Sequence, residues 1–268
     1  EMLFIIVHQA SELCRWGHWW HLPVVLVLAW AASEANSSRW VRAGVLLGVA
    51  MWFEPFAVAG VAVLALSPSV WAALRSAVLA GVVGVLAYLP FVLAGSFAMG
   101  TRTWRVSPGT WAALVSGVDT MIVVDFRLRV LEAIVAAALA GTIIGFLRRA
   151  MPMPALALVA AATATCARIA LEPFWWPYYP IVPLCVLAAA ALRLAFLRRP
   201  ATLPVAAGAG TMAILSPFSP PLGAAGALIW LAVAGRGFWT PAWDRLAVDF
   251  APMRRPEEPD FVADGATR

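Results

Sequence analysis

The sequence has little charge, no lysine and few residues of the kinds that bind metals. Only 12% of its 268 residues are charged, all 19 basic residues are arginine, and there are three cysteines and three histidines. Soluble domains carry roughly 25% charged residues, so the composition excludes an ordinary soluble domain. The cysteines lack C-x-x-C spacing, and we expect neither a metal nor a cofactor. The patterns G-x-x-x-x-G-K-[ST], G-x-G-x-x-G and G-x-S-x-G, typical of nucleotide and hydrolase sites, are absent as well.

Apolar residues are what the sequence has most of. They make up 63% of the chain, and the mean hydropathy is +0.85. Runs that approach or exceed about 18 apolar residues mark transmembrane helices. The apolar segments are residues 22–34, 41–53, 55–66, 70–94, 129–147, 153–170, 179–197, 202–216 and 221–235. We therefore predict an all-α, polytopic transmembrane helical bundle over residues 1–238, followed by a cytoplasmic, disordered tail at 239–268.

The arginines predict the orientation of this bundle, because short cytoplasmic loops are enriched in basic residues. Arginine-bearing loops lie near residues 39–42, 75, 148–149, 198–199 and from 236 onward. All of them fall on the cytoplasmic side only if residues 41–66 enter and leave the membrane on the same side. We therefore predict a re-entrant hairpin of two half-length helices at 41–66. A single kinked crossing is the alternative.

Glu54 lies near the middle of that apolar run and is followed by Pro55. A charge at membrane depth costs about 2.5–3.5 kcal/mol on insertion scales, so such acids are rare and usually functional. Proline breaks a helix, and irregular backbone at membrane depth lines a polar cavity and not lipid. The hairpin places Glu54 at its tip, near the outer face. We expect Glu54 to pair with an arginine, to cap the broken helix or to contact substrate hydroxyls.

Other polar and aromatic residues lie in segments that this topology places at the outer face. The two histidines of WGHWWH are three residues apart, and Arg168 and Glu172 are four apart, so each pair shares a helix face. Outward-facing arginines suit bidentate binding of a phosphate, whereas an aromatic belt with solvated ion pairs is the structural alternative. The substrate-binding candidates are His18, His21, Glu54, Arg102, Arg105, Arg168, Glu172 and Tyr179.

The order of four motifs adds a resemblance. WGHWWH opens a short helix, AGVLLGVAMWFEPFAV follows, then comes Leu89-Pro90-Phe91, and R-x-x-L-E-P-x-x-x-x-Y-Y runs from Arg168 to Tyr179. Over roughly residues 12–197 this order resembles the C-terminal two-thirds of bacterial GT-C-fold integral membrane glycosyltransferases. The resemblance implies a multi-pass protein of the bacterial plasma membrane, its C-terminus cytoplasmic. It also implies hexosyl transfer from a polyprenyl-phosphate sugar to an envelope glycan or lipid, with membrane lipids and no nucleic acid as partners.

The chain departs from that family at two places. Glu54-Pro55 stands where the family commonly has lysine before proline, so an anion replaces a cation. The family's catalytic aspartate lies in a first outer loop that this sequence does not show. We therefore expect the catalytic base upstream of Glu1 and a missing N-terminal portion. Two other functions stay open. One is a transporter or flippase, because broken helices also line transport sites, and the other is a non-catalytic remnant or assembly subunit.

Overall fold

The computed structural model describes residues 21–98, 101, 103–116, 123–174 and 178–235, and these residues are mostly helical. Two short strands, β1 (Trp104–Arg105) and β2 (Val123–Val124), pair antiparallel. The helices are α1 His21–Asn36, α2 Trp40–Phe53, α3 Val70–Leu93, α4 Trp111–Ser116, α5 Phe126–Leu147, α6 Met153–Leu171, α7 Ile181–Phe196, α8 Thr202–Leu215 and α9 Pro220–Gly235, with a 3₁₀ segment at Pro55–Leu66.

Helices α3, α5 and α6 are long and apolar enough to cross a membrane. This confirms the prediction of a mostly helical chain with helices suited to cross a membrane. The predicted tail at 239–268 lies outside the described residues.

Local signals set several element boundaries. The Asp125 carboxylate accepts a hydrogen bond from the Leu128 amide at 2.9 Å and caps α5, which is the usual role of aspartate at a helix start. Helix α2 ends at Glu54, whose φ of −144° and ψ of 105° are extended. A following proline imposes this geometry, so the predicted break is present. The segment after the break, Pro55–Leu66, is a 3₁₀ helix.

Helices α2 and α3 lie side by side and run in the same direction. The Trp40 carbonyl accepts from the Ser76 hydroxyl at 2.9 Å, and eleven residues further along α2 the Met51 carbonyl accepts from the Tyr88 hydroxyl at 2.7 Å. Glycine permits this close approach, because a Cβ at Gly48 would lie 2.5 Å from the nearest side-chain atom of α3. The helix pair therefore packs with little space between backbones, as small residues allow in membrane proteins.

The 3₁₀ segment runs opposite to α2 and α3. It starts beside Glu54, and the Ser67 carbonyl just beyond its end accepts from the Arg148 guanidinium at 3.4 Å. Arg148 follows the end of α5, so the two ends of the segment lie at opposite ends of the bundle. We call the end near Ser67 the arginine-rich end; the arginines there are Arg39, Arg42, Arg75, Arg148 and Arg149.

Helix α6 forms the centre of the bundle. It packs against α1, α5, α7, α9 and the 3₁₀ segment. Twelve of its 19 residues are buried, and seven of those twelve are alanine, so its neighbours approach closely on several sides. Helix α3, by contrast, buries only three small residues, Ser76, Ala80 and Gly84, and exposes large apolar side chains along its length. Its outer surface is suited to contact with lipid.

Candidate functional site

Charged and aromatic side chains meet at the end of the bundle opposite the arginine-rich end. They come from the first residue of α1, the residue after α2, the first two turns of α5, the last turn of α6 and the residues before α7. We call this set the polar cluster; its members are His21, Glu54, Arg129, Glu132, Arg168, Glu172, Tyr178 and Tyr179.

Carboxylates and guanidiniums alternate through the polar cluster. Arg168 Nη2 lies 3.5 Å from Glu54 Oε1 and 3.3 Å from Glu172 Oε2. Arg129 Nη2 lies 2.5 Å from the other oxygen of Glu172, and Arg129 Nη1 donates to Glu132 Oε2 at 2.9 Å. The order is therefore Glu54, Arg168, Glu172, Arg129 and Glu132, and each arginine joins two carboxylates.

Most of this ion-pair chain is removed from water. Arg129, Glu132 and Glu172 are 4%, 7% and 3% exposed, and Arg168 and Glu54 are partly buried. Burying a charge costs several kcal/mol unless it is paired and hydrogen-bonded. Removing one partner would leave its neighbours buried without compensation. The ion pairs therefore fix the ends of α2, α5 and α6 relative to one another.

Aromatic rings enclose the histidine side of the polar cluster. His21 Nε2 lies 3.9 Å from Glu54 Oε2, and the imidazole centroid lies 6.1 Å from the Tyr178 ring and 6.0 Å from the Tyr179 ring. The Arg168 guanidinium lies 5.6 Å from the Tyr179 centroid, within cation–π range. Burial raises the pKa of both tyrosine hydroxyls, so both phenols are neutral at neutral pH.

Two small cavities adjoin the ion-pair chain. One, of about 30 Å³, lies between α1, the 3₁₀ segment and α6, and His21, Glu54 and Arg168 border it. The other, of about 10 Å³, is bordered by Arg129, Glu132, Arg168 and Glu172. A cavity needs roughly 10–15 Å³ to hold one water molecule. The cluster thus has room for small polar species on both sides of Arg168.

A much larger groove lies between α3 and α5. Its volume is about 430 Å³, within the range of roughly 300–1,000 Å³ found for ligand pockets. Apolar side chains form nearly all of its surface, and the 3₁₀ segment contributes Val58 and Val61. Tyr88 and Arg129 are its polar residues. Because Arg129 also belongs to the ion-pair chain, the apolar groove and the polar cluster meet at this residue.

The structure brings together five of the eight predicted substrate-binding residues, which are His21, Glu54, Arg168, Glu172 and Tyr179. Arg105 lies on β1 and is exposed, outside the polar cluster. Its neighbour Trp104 lies under the Arg129 guanidinium, 5.7 Å from the ring centroid. His18 and Arg102 lie outside the described residues, so their predicted roles stay predictions.

Two members of the polar cluster, Arg129 and Glu132, were not among the predicted site residues. Their spacing was the available signal, because ionisable residues at i and i+3 in an apolar helix share one face and seldom face lipid.

No protein-family model, curated protein or solved structure matches this chain. The resemblance to GT-C enzymes therefore stays a prediction, and the polar cluster and the groove that reaches it are the structural features that bear on function.

Proposed function

We propose that this chain is the membrane portion of a glycosyltransferase. It transfers a sugar from a polyprenyl-phosphate carrier to an envelope glycan or lipid at the outer face of a bacterial membrane. The observation that carries the proposal is the meeting of the apolar groove with the polar cluster at Arg129. A lipid-linked sugar needs both parts, because its tail is apolar and its head carries phosphate and hydroxyl groups.

The groups around the junction match that head chemically. Carboxylates accept hydrogen bonds from sugar hydroxyls, and Glu54 lies beside the 30 Å³ cavity with an oxygen toward His21. The Tyr179 ring offers an apolar face with a polar edge. Arginine forks suit phosphate, but Arg129 and Arg168 each already join two carboxylates. A phosphate that binds either arginine therefore shares the guanidinium with a carboxylate, or it displaces a carboxylate from that guanidinium.

The re-entrant course of residues 41–66 is part of this proposal. Helix α2 and the 3₁₀ segment meet at Glu54, and both of their far ends lie at the arginine-rich end. Helix α2 has 14 residues, which corresponds to about 21 Å, short of the ~30 Å hydrocarbon core. With the arginine-rich end cytoplasmic, the polar cluster faces outward and the C-terminus is cytoplasmic.

Sugar transfer by the full-length protein tests the proposal. The assay measures transfer from a radiolabelled polyprenyl-phosphate hexose to a short glycan acceptor in liposomes. We expect Arg168→Ala to abolish transfer, because it removes the cation between Glu54 and Glu172. Arg42→Ala, at the exposed arginine-rich end, is the matched control and should transfer at the wild-type rate. Wild-type rates in a folded Arg168→Ala protein would contradict the role of Arg168 in binding the donor phosphate.

A transporter is the second candidate, and the charge balance of the polar cluster favours it. Three carboxylates face two guanidiniums in the ion-pair chain. Acids at membrane depth that exceed their cationic partners are typical of proton- or ion-coupled sites. Uptake of a lipid-linked or small polar substrate into proteoliposomes without any sugar transfer would favour this function. Absence of both activities would favour the non-catalytic subunit.

A further inference from the structure

The charges of the ion-pair chain do not balance among the described residues. Three carboxylates against two guanidiniums leave one negative charge when the neighbouring imidazole is neutral; the carboxylates are those of Glu54, Glu132 and Glu172. A buried charge without a partner costs several kcal/mol even after relaxation of the protein. In practice such a site takes up a proton instead.

One carboxylate oxygen of Glu132 takes no part in the ion pairs. Its Oε2 accepts from Arg129, whereas its Oε1 is fully buried and accepts no hydrogen bond from any residue that the structure describes. The residue is 7% exposed and borders the 10 Å³ cavity. An ionised carboxylate oxygen in this position loses its hydration and gains no donor in return.

The described elements packed against α5 supply no hydrogen-bond donor to this oxygen. These elements are the 3₁₀ segment, α6 and α9, and neither the 3₁₀ segment nor α9 contains a titratable residue. Helix α6 contributes Cys166 and Arg168, and Glu172 follows its last turn. The Cys166 sulfur lies 4.0 Å from Met212 on α8 and so faces away from α5. Glu132 therefore accepts a hydrogen bond from one guanidinium, that of Arg129 on its own helix. Arg168 borders the same cavity but pairs with Glu54 and Glu172.

We propose that the polar cluster is a proton-binding site and that Glu132 carries the proton at neutral pH. A proton on Oε1 removes the net charge and turns an unpaired acceptor into a hydroxyl at the cavity. The two guanidiniums that border the cavity repel a metal ion. The described residues also contain no group of three histidine, cysteine, aspartate or glutamate side chains placed to hold one.

Three other groups compete for this proton, and geometry favours Glu132 over each of them. Glu54 is less buried, and its Oε1 lies 3.5 Å from Arg168 and its Oε2 3.9 Å from His21. Burial raises the pKa of Glu172, but each of its two oxygens faces a guanidinium, at 2.5 and 3.3 Å. His21 lies beside Glu54 on the far side of Arg168, where a proton would leave Glu132 Oε1 still ionised and buried. The inference goes beyond the proposed function, because it holds equally for a transferase and for a transporter.

Infrared spectroscopy of the full-length protein in liposomes tests the proposal. A protonated carboxyl has a carbonyl stretch well separated from the carboxylate stretches, and it shifts in D₂O. We expect this acid band at neutral pH in wild type, its loss on titration to alkaline pH, and its absence from Glu132→Gln at neutral pH. Glu34→Gln, the buried glutamate of the arginine-rich end, is the matched control and should keep the band.

Each alternative outcome overturns the proposal. A wild-type spectrum without the acid band at neutral pH refutes it on its own, and this result needs no variant to fold. A band that persists in Glu132→Gln but disappears in Glu54→Gln or Glu172→Gln places the proton elsewhere and refutes the role of Glu132. Because glutamine resembles a neutral glutamic acid, Glu132→Gln is also expected to unfold at the wild-type denaturant concentration at neutral pH. A large loss of stability would show that the negative charge is required.

Discussion

The two ends of the bundle both pair buried glutamates with arginines, but the arginines are exposed at one end and Arg129 is buried at the other. At the arginine-rich end, Glu34 lies 3.5 Å from Arg39 and 4.0 Å from Arg42, and these arginine side chains are 58% and 68% exposed. At the other end, Arg129 is 4% exposed and lies between two buried carboxylates. Water and salt weaken the first group, whereas nothing but its own partners compensates the second. The exposed pairs are therefore open to screening, whereas the buried pairs fix the helices around them.

The largest effect is expected from Arg129→Leu. It leaves Glu132 and Glu172 buried with one cation fewer, and breaking a buried pair costs about 3–5 kcal/mol. The measurement is the free energy of unfolding in mixed micelles, followed by the loss of helical circular dichroism. Arg42→Leu is the control at the other end and should change that free energy by less than about 1 kcal/mol. Equal effects of the two substitutions would remove the distinction between the ends.

A matched pair of cation–π contacts sharpens the comparison. The Arg129 guanidinium lies 5.7 Å from the Trp104 ring, and the exposed Arg75 guanidinium lies 5.9 Å from the Trp40 ring. Such contacts contribute about 2 kcal/mol when desolvated and about 0.5–1 kcal/mol when exposed. We therefore expect Trp104→Leu to lower the free energy of unfolding about twice as much as Trp40→Leu. A larger loss of unfolding free energy from Trp40→Leu than from Trp104→Leu would contradict the conclusion that the Arg129 contact is the more buried of the two.

Alkaline pH should weaken the buried end selectively. Burial raises the pKa of Tyr178 and Tyr179 in the folded protein, so folding favours the neutral phenols. That stability is fully present below the unfolded-state value of about 10 and is lost as pH rises toward the folded-state value. We expect a loss of about 1.4 kcal/mol for each tyrosine at about pH 11, or about 3 kcal/mol for the two, because one pKa unit corresponds to about 1.4 kcal/mol. Denaturant unfolding across this range should show a flatter pH dependence in the Tyr178→Phe/Tyr179→Phe double variant.

The smallest effect is expected from Arg39→Ala. Its contact with Glu34 is 3.5 Å long and its side chain is 58% exposed, and such surface pairs contribute about 0–1 kcal/mol. Salt at about 1 M shortens the Debye length to about 3 Å, so the difference between variant and wild type should disappear there. Unfolding measured at low and high salt checks this. A salt-independent difference would mean that the Glu34 group behaves as a buried pair.

The features that the sequence predicted correctly depend on local chemistry. The break at Glu54 follows from the proline after it, and the pairing of Arg168 with Glu172 follows from four-residue spacing at the end of α6. Neither inference depends on which helices pack against one another. The membrane class follows from composition alone, because it depends on the length of apolar runs and not on their arrangement.

The pairing of Arg129 with Glu172 could not be predicted in the same way. It depends on the side of α5 on which α6 packs, and that choice involves residues about 40 positions away in the sequence. The 3₁₀ geometry of Pro55–Leu66 could not be predicted from the sequence either. Its sequence PFAVAGVAVLAL is apolar throughout, so it contains no polar pattern that distinguishes a 3₁₀ helix from an α-helix.

The 3₁₀ segment has a consequence for lengths within the bundle. Twelve residues at about 2.0 Å per residue span about 24 Å, close to the roughly 21 Å of α2 beside it. The same twelve residues wound as an α-helix would span about 18 Å, some 6 Å less. Ser67 is tied to Arg148 at one end and Glu54 to Arg168 at the other. The 3₁₀ geometry thus lets the segment span the distance between these two contacts. A change to the shorter α-helical geometry would pull Glu54 away from Arg168.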